Sequence, residues 1–80
     1  MKLPRDISGQ ELARLLKKYG YEVNRQTGSH IRLTTHQNGE HHITIPAHKE
    51  LRVGTLSAIL IDVADHLAIS REELIQDLFD

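Results

Sequence analysis

Residues 21–46 read YEVNRQTGSHIRLTTHQNGEHHITIP, and this stretch decides the fold. It contains three segments in which polar and apolar residues alternate, which is the pattern of half-buried β-strands. The segments run from Tyr21 to Gln26, from His30 to Thr35 and from His41 to Pro46. Asn38-Gly39 separates the last two, and this pair favours the positive φ angles of a hairpin turn. The stretch therefore predicts a sheet of three antiparallel strands.

Alternation also predicts which side chains share a face of that sheet, because neighbouring residues of a strand point to opposite sides. In the first strand the odd-numbered residues are expected on one partly buried face: Tyr21, Val23 and Arg25. In the other two strands the inward positions are apolar: Ile31, Leu33, Ile43 and Ile45. The outward face of these two strands is then polar: His30, Arg32, Thr34, His42 and Thr44.

Helical segments are predicted on both sides of the strands. Ser8 and Glu11 form a capping box, which starts a helix over residues 9–19. A second helix is predicted from Gly54-Thr55 to about residue 66, with Thr55 or the glycine turn as its cap, and a short third helix over residues 70–79. The expected fold class is α+β, in two layers with the order α-β-β-β-α and an extra short C-terminal helix.

Length and composition predict one small domain over residues 1–80, with its core over about residues 8–66. The chain has no cysteine, which excludes a disulfide framework and a thiolate metal site. No apolar run is long enough to span a bilayer, and no signal peptide is recognisable at the start. We therefore expect a cytoplasmic protein with no membrane contact.

Charge is distributed unevenly along the chain. Residues 1–54 carry a formal charge of +4 and residues 55–80 carry −5, for a net charge of −1. The first two thirds of the chain would attract a polyanion, and the last third would repel one. The simpler interpretation is an ordinary solvated surface with an acidic last helix, and charge alone does not decide between the two.

The tripeptide Gly28-Ser29-His30 is the strongest candidate for a catalytic site. An unperturbed imidazole titrates at about 6.5, so His30 is suited to proton transfer near neutral pH. With cationic neighbours, such an imidazole serves RNA cleavage by taking a proton from a ribose 2′-hydroxyl or protonating the leaving oxygen. The alternative is a polar strand residue without chemistry. Ser29 directly precedes His30, so their side chains are expected to diverge, which disfavours a serine nucleophile.

The sequence has features of two further kinds of site, a metal site and a phosphate site. The six histidines do not have metal-ligand spacing, since His41 and His42 are adjacent and point to opposite faces of a strand, so we expect no metal. The start of the second helix offers backbone N–H groups to a phosphate, and Lys49 and Arg52 lie just before it. An ordinary helix cap explains the same residues without a phosphate.

The motifs occur together in an order that resembles a known family. They are Gly28-Ser29-His30, then Ile45-Pro46-x-His48, then Leu51-x-x-Gly54-Thr55-Leu56 followed by Ile59-Leu60. From about residue 8 to residue 64, the chain resembles the HicA-type toxins, also grouped as YcfA-like proteins, of HicA–HicB toxin–antitoxin systems.

The resemblance implies a fold like that of double-stranded RNA-binding domains. It implies ribosome-independent, metal-independent cleavage of mRNA without a cofactor, inhibited by a HicB-like antitoxin. By the same resemblance His30 is the catalytic histidine, with Gly28 and Ser29 as its flanking turn. RNA-binding residues are expected in that turn, at Gly28 and Ser29, and along an RNA-contacting edge at Arg32, His48, Lys49 and Arg52.

Two other classes of function stay open at the level of sequence. A non-catalytic module that binds double-stranded RNA would suit the same order of elements, although Arg52 is the only basic residue in the stretch RVGTLSAIL that starts the second helix. A domain that binds only protein partners through its sheet would show no affinity for RNA.

Overall fold

The structure is a computed structural model and describes residues 3–80. Its elements follow the predicted order, with one 3₁₀ turn after the first helix. They are α1 (Gly9–Leu15), the 3₁₀ turn (Leu16–Tyr19), β1 (Glu22–Gln26), β2 (His30–Thr35), β3 (His41–Pro46), α2 (Val53–Leu67) and α3 (Arg71–Phe79). The predicted α+β fold is confirmed.

The first helix begins and ends as its sequence indicates. The Ser8 side chain accepts a hydrogen bond from the Glu11 N–H, and the Glu11 carboxylate accepts one from the Ser8 N–H. This capping box satisfies two of the N–H groups that a helix start leaves unpaired. The last turn tightens to 3₁₀ geometry and stops at Gly20, whose φ of 80° lies in the left-handed region.

The three strands form one antiparallel sheet in the order β1-β2-β3. The turn between β2 and β3 has positive φ at Asn38 (59°) and Gly39 (99°), as the Asn-Gly pair predicts. In β2 and β3 the predicted alternation holds, because every second residue is buried. The pairs Arg32–Thr44 and Thr34–His42 lie directly opposite each other, which places the predicted polar residues on one face.

The helices cover the other face of the sheet and form the core with it. The strands contribute Ile31, Leu33, Ile43 and Ile45. The buried helical residues are Leu12, Ala13, Leu16, Leu56, Ile59, Leu60, Val63, Ala64, Leu74, Ile75 and Leu78. Each large side chain buried in this way contributes about 1.5–3 kcal/mol of transfer free energy. The polar face of the sheet, by contrast, is left open to solvent.

The predicted half-buried face of β1 is wrong. All five residues of the strand are exposed, and the buried residue is Tyr21, just before it. The register shifts between Val23 and Arg25, since Val23 lies opposite Leu33 but Arg25 lies opposite Arg32. Such a bulge places one extra residue in the strand and reverses the alternation beyond it. Arg25 therefore shares the open face with Arg32 instead of the face of Val23.

The start of α2 also differs from the prediction. The helix begins at Val53 with Arg52 in the N-cap position, and no side chain caps it, so neither Thr55 nor a glycine turn is the cap. The helix ends at Ala68, whose φ is 58°. Ser70 then accepts a hydrogen bond from the Glu73 N–H and starts α3, as predicted.

No single helix in residues 3–80 combines the length and apolarity needed to cross a membrane. Together α2 and α3 would pass that test, but they are bent by 109° at their junction. Their apolar sides are buried in the core described above.

Candidate nucleic-acid interface

One end of the molecule brings together the starts of β2, α1 and α2 and the end of β3. The Ala47 N–H donates to the Ser29 carbonyl at 2.9 Å, which joins the segment after β3 to the turn before β2. The Gly9 N–H donates to the His48 carbonyl at 3.0 Å, and the Leu51 N–H donates to the Ile7 carbonyl at 2.9 Å. Backbone hydrogen bonds thus connect the loop of residues 47–52 to the turn before β2 and to the start of α1.

Close packing at Gly9 allows the start of α1 to lie against the end of β3. A Cβ atom at this position would overlap the carbonyl oxygen of Pro46. Only glycine lets the first turn of α1 approach the end of β3 so closely. The hydrogen bond from Ala47 to Ser29 brings the neighbouring His48 close to the start of β2, although His48 lies 18 positions after His30 in the sequence.

The turn before β2 is closed by its own backbone and by Thr27. The Thr27 N–H donates to the His30 carbonyl at 2.9 Å, and the His30 N–H donates to the Thr27 hydroxyl at 3.2 Å. Gly28 lies in this turn with no heavy atom within 4 Å of the position that a Cβ would take. The fold therefore leaves open space beside Gly28.

The expected divergence of the Ser29 and His30 side chains is wrong. The Ser29 hydroxyl lies 2.9 Å from the Nδ1 atom of His30, within hydrogen-bond distance. Ser29 belongs to the bend before β2, so the alternation of a regular strand does not apply to it. The His30 ring is exposed, and within residues 3–80 its Nε2 atom has no hydrogen-bond partner.

The basic residues predicted for the RNA-contacting edge are all exposed. They are Arg32 on the open face, and His48, Lys49 and Arg52 in the loop that leads into α2. None of them forms an ion pair with a carboxylate of the described chain, although Glu50 lies in the same loop. The positive charge of Arg32, Lys49 and Arg52 is therefore not neutralised by an ion pair within residues 3–80, and these residues lie at the end that holds His30.

The first turn of α2 adds backbone donors to this end. The first N–H of the helix with a backbone acceptor is that of Leu56, which donates to the Arg52 carbonyl at 2.9 Å. The preceding N–H groups of Val53, Gly54 and Thr55 have no side-chain cap. Uncapped helix starts attract anions, so this turn is compatible with the phosphate contact considered from the sequence.

A second cluster of titratable side chains lies at the opposite end of the sheet. The Tyr21 hydroxyl is 2.7 Å from Nδ1 of His41, and Nε2 of His41 is 3.2 Å from the Asp62 carboxylate. The rings of His41 and His66 stack at 4.3 Å, and Nε2 of His66 is 2.9 Å from the carbonyls of both Gln37 and Gly39. These contacts join α2 to the hairpin.

Burial and the nearby Asp62 raise the pKa of Tyr21 to about 12. The hydroxyl therefore stays protonated near neutral pH, and it shares a hydrogen bond with Nδ1 of His41. With both ring nitrogens of His41 and the Nε2 atom of His66 occupied, this cluster is a structural element of the hairpin. No group of three His, Asp or Glu side chains in residues 3–80 is arranged to hold a metal ion.

Arg25 is the residue of this surface that reasoning from the sequence missed. The bulge places it directly opposite Arg32 on the open face. Alternation from Tyr21 onward assigns it to the other face, and no pattern in the sequence marks the bulge.

Comparison with known proteins supports the resemblance drawn from the motifs. The family model described as HicA toxin of bacterial toxin–antitoxin systems matches residues 9–64. That match spans α1, the whole sheet and most of α2, and it includes the candidate site. Searches of curated proteins and of solved structures gave no significant match.

Proposed function

Because the chain belongs to the HicA family of toxins from bacterial toxin–antitoxin systems, we propose that it acts as an endoribonuclease that cleaves mRNA. His30 is the catalytic residue, and a HicB-like antitoxin is the protein that inhibits it. The observation that carries this proposal is the His30 ring, which is exposed, has the Ser29 hydroxyl at Nδ1 and has no hydrogen-bond partner at Nε2 within residues 3–80.

The chemistry proposed for His30 is acid–base catalysis of phosphoryl transfer from the 5′-oxygen to the neighbouring ribose 2′-oxygen. The 2′-oxygen forms a bond to phosphorus while its proton passes to the imidazole, and the bond from phosphorus to the 5′-oxygen breaks. The leaving 5′-oxygen takes a proton from the imidazolium or from solvent. The products are a 2′,3′-cyclic phosphate and a 5′-hydroxyl end, with no net change in oxidation state.

The surrounding residues bind the RNA backbone in this proposal. Arg32, Lys49 and Arg52 are cationic, exposed and without ion pairs in the described chain, which suits contacts with phosphate oxygens. Gly28 allows the backbone of the substrate to come close to the turn, because its surroundings are open. His48 borders the same end through the loop that follows β3.

We propose that neither a metal ion nor a cofactor takes part, because an imidazole and nearby cations suffice for this reaction. Cleavage is then expected to persist in excess EDTA. We also place the protein in the cytoplasm, where mRNA is found.

The first test compares wild type with His30→Ala, and uses His36→Ala as a matched control. His36 is an exposed histidine in the hairpin turn, whose only ion pair is a 3.9 Å contact with Glu40. Wild type and His36→Ala are expected to arrest growth and to degrade mRNA, whereas His30→Ala does neither at matched soluble expression. Loss of a general acid–base group reduces the rate by about 10²–10⁴-fold.

The proposal is wrong if folded His30→Ala keeps the cleavage activity of wild type. If wild type binds RNA stoichiometrically but never cleaves it, a non-catalytic RNA-binding module is the better account. If it shows no affinity for RNA even at low salt, the protein is an interaction domain for other proteins.

A further inference from the structure

The open face of the sheet holds two arginines in an unusual arrangement. Arg25 of β1 and Arg32 of β2 are direct partners across the antiparallel ladder. Side chains at such positions lie on the same face with their Cβ atoms about 4.5–5.5 Å apart, and like charges there destabilise the sheet. Both side chains are exposed. The fold therefore tolerates a repulsive pair where no packing requires one.

Arg25 reaches this face only because of the bulge in β1. In a regular strand Arg25 would share the face of Val23, which lies opposite the buried Leu33. The bulge at Asn24 redirects it, and the Asn24 side chain is fixed by a 2.8 Å hydrogen bond from its amide to the Thr34 hydroxyl. Bulges are common beside functional sites, where they re-aim a side chain.

No carboxylate in residues 3–80 neutralises the pair. Glu22 and Glu40 belong to the same side of the sheet, but at the end of the hairpin, where Glu40 pairs with His42 at 2.8 Å. Neither Arg25 nor Arg32 forms an ion pair or a side-chain hydrogen bond in the described chain. The open face is thus positive near His30 and carries its acidic groups at the far end.

We propose that Arg25 and Arg32 form a clamp for one phosphate of the RNA strand, next to the phosphate that is cleaved at His30. His30 and Arg32 are two positions apart on the same face of β2, which corresponds to about 6.8 Å along an antiparallel strand. This spacing is similar to that of neighbouring phosphates in a nucleic acid. A guanidinium group is planar and can donate two parallel N–H···O hydrogen bonds to one phosphate. It therefore matches the geometry of a phosphate better than an ammonium group does.

The clamp defines the path of the RNA strand over the surface of the protein. One phosphate lies at His30, the next lies over the arginine pair, and the strand continues over the open face instead of over the helices. An anion between the two arginines also removes their mutual repulsion. This inference rests on the proposed function, because it specifies how that same site holds its substrate.

The test measures binding of a short, mixed-sequence 2′-O-methyl oligoribonucleotide, which lacks the hydroxyl that attacks phosphorus and so stays uncleaved on wild-type protein. The variants are Arg25→Gln, Arg25→Lys and the control Lys17→Gln. Lys17 is exposed near the far end of α1, in the helical layer, and its change removes the same charge. Thermal unfolding of each variant is measured in parallel.

Arg25→Gln is expected to bind the oligonucleotide about tenfold more weakly at low salt, as the loss of a charge-assisted contact implies. Its plot of log affinity against log salt concentration is expected to be shallower by roughly 0.7, the value for one phosphate contact in a single strand. Arg25→Lys is expected to lie between Arg25→Gln and wild type. The unfolding temperature of Arg25→Gln should equal or exceed that of wild type, because like-charge repulsion is removed.

The clamp is wrong if Arg25→Gln and Lys17→Gln bind the oligonucleotide equally well while wild type still binds and cleaves RNA. It is also wrong if Arg25→Gln affects only the binding of an antitoxin protein. If wild type neither binds nor cleaves RNA, the proposed function fails and the clamp fails with it. The cleavage assay on unmodified RNA separates these results.

Discussion

The Ser29 hydroxyl and the Nδ1 atom of the His30 ring lie 2.9 Å apart, within hydrogen-bond distance. A hydrogen bond at Nδ1 restricts rotation of the ring and leaves Nε2 as the ring nitrogen without a partner in residues 3–80. In the proposed reaction Nε2 is therefore the atom that transfers the proton. The same proposal makes Ser29 a positioning residue, because it would work through the imidazole and not on the substrate itself.

Replacing Ser29 with alanine tests this role. We expect kcat for RNA cleavage to fall by about 2- to 10-fold, since one exposed neutral hydrogen bond is worth about 0.5–1.5 kcal/mol. KM is expected to stay near the wild-type value, because no RNA contact of the serine side chain is required. Steady-state kinetics on a defined RNA separates the two constants.

Ser29→Thr is the matched variant, because it retains the hydroxyl and should recover most of the activity. A rise in KM with unchanged kcat in Ser29→Ala would instead make the serine an RNA-binding residue.

At the scale of elements, α3 is fixed to the 3₁₀ turn by a cluster around Asp77. The Lys18 ammonium donates to the Asp77 carboxylate at 2.8 Å and to its backbone carbonyl at 3.2 Å, and the Tyr19 hydroxyl donates to the same carboxylate. The hydrogen bonds from Lys18 and Tyr19 lower the pKa of Asp77 below its usual 3.8. Leu74, Ile75 and Leu78 anchor the same helix in the core.

This cluster predicts a loss of stability in acid. A carboxyl group whose pKa is lowered by folding stabilises the folded state above its unfolded pKa, and this contribution is lost as the pH falls through the folded value. The unfolding temperature of wild type should therefore exceed that of Asp77→Asn at neutral pH. The difference should shrink as the pH falls below 3.8.

Asp65→Asn is a suitable control for Asp77→Asn, because Asp65 is exposed and forms no ion pair in the described chain. A difference between wild type and Asp77→Asn that does not depend on pH would rule out the ion pair as its cause.

At the scale of the whole molecule, the two ends of the sheet differ in what they do. At the end with His30, backbone hydrogen bonds join the chain segments, while the side chains of the candidate site are exposed. The other end joins Tyr21, His41, Asp62 and His66 to the hairpin through hydrogen bonds and one stacked pair of rings. Stability and proposed chemistry therefore depend on different histidines.

His66→Ala and His30→Ala are expected to have opposite effects. His66→Ala removes the hydrogen bonds to the carbonyls of Gln37 and Gly39, which should lower the free energy of unfolding by about 1–3 kcal/mol. Its RNA cleavage per folded molecule should equal that of wild type. His30 is exposed, so His30→Ala should unfold like wild type and lack cleavage.

Urea unfolding and a cleavage assay on the same preparations measure both quantities. Loss of activity in folded His66→Ala would contradict the separation of the two ends.

The sequence by itself determined the order of the elements, the hairpin and most of the caps. These features depend on neighbouring residues: alternation in β2 and β3, positive φ at Asn38 and Gly39, and the capping box of Ser8 with Glu11. The histidine of Gly28-Ser29-His30 was also evident, because its motif is contiguous.

Only the tertiary structure decided how the site is assembled. His48 comes near the turn before β2 because the Ala47 N–H donates a hydrogen bond to the Ser29 carbonyl. The start of α1 joins the same end because Gly9 packs against Pro46. Arg25 faces Arg32 because a bulge shifts the register between β1 and β2. Both arrangements depend on pairing between distant segments, where a shift of one residue moves a side chain to the opposite face, and no local pattern specifies that shift.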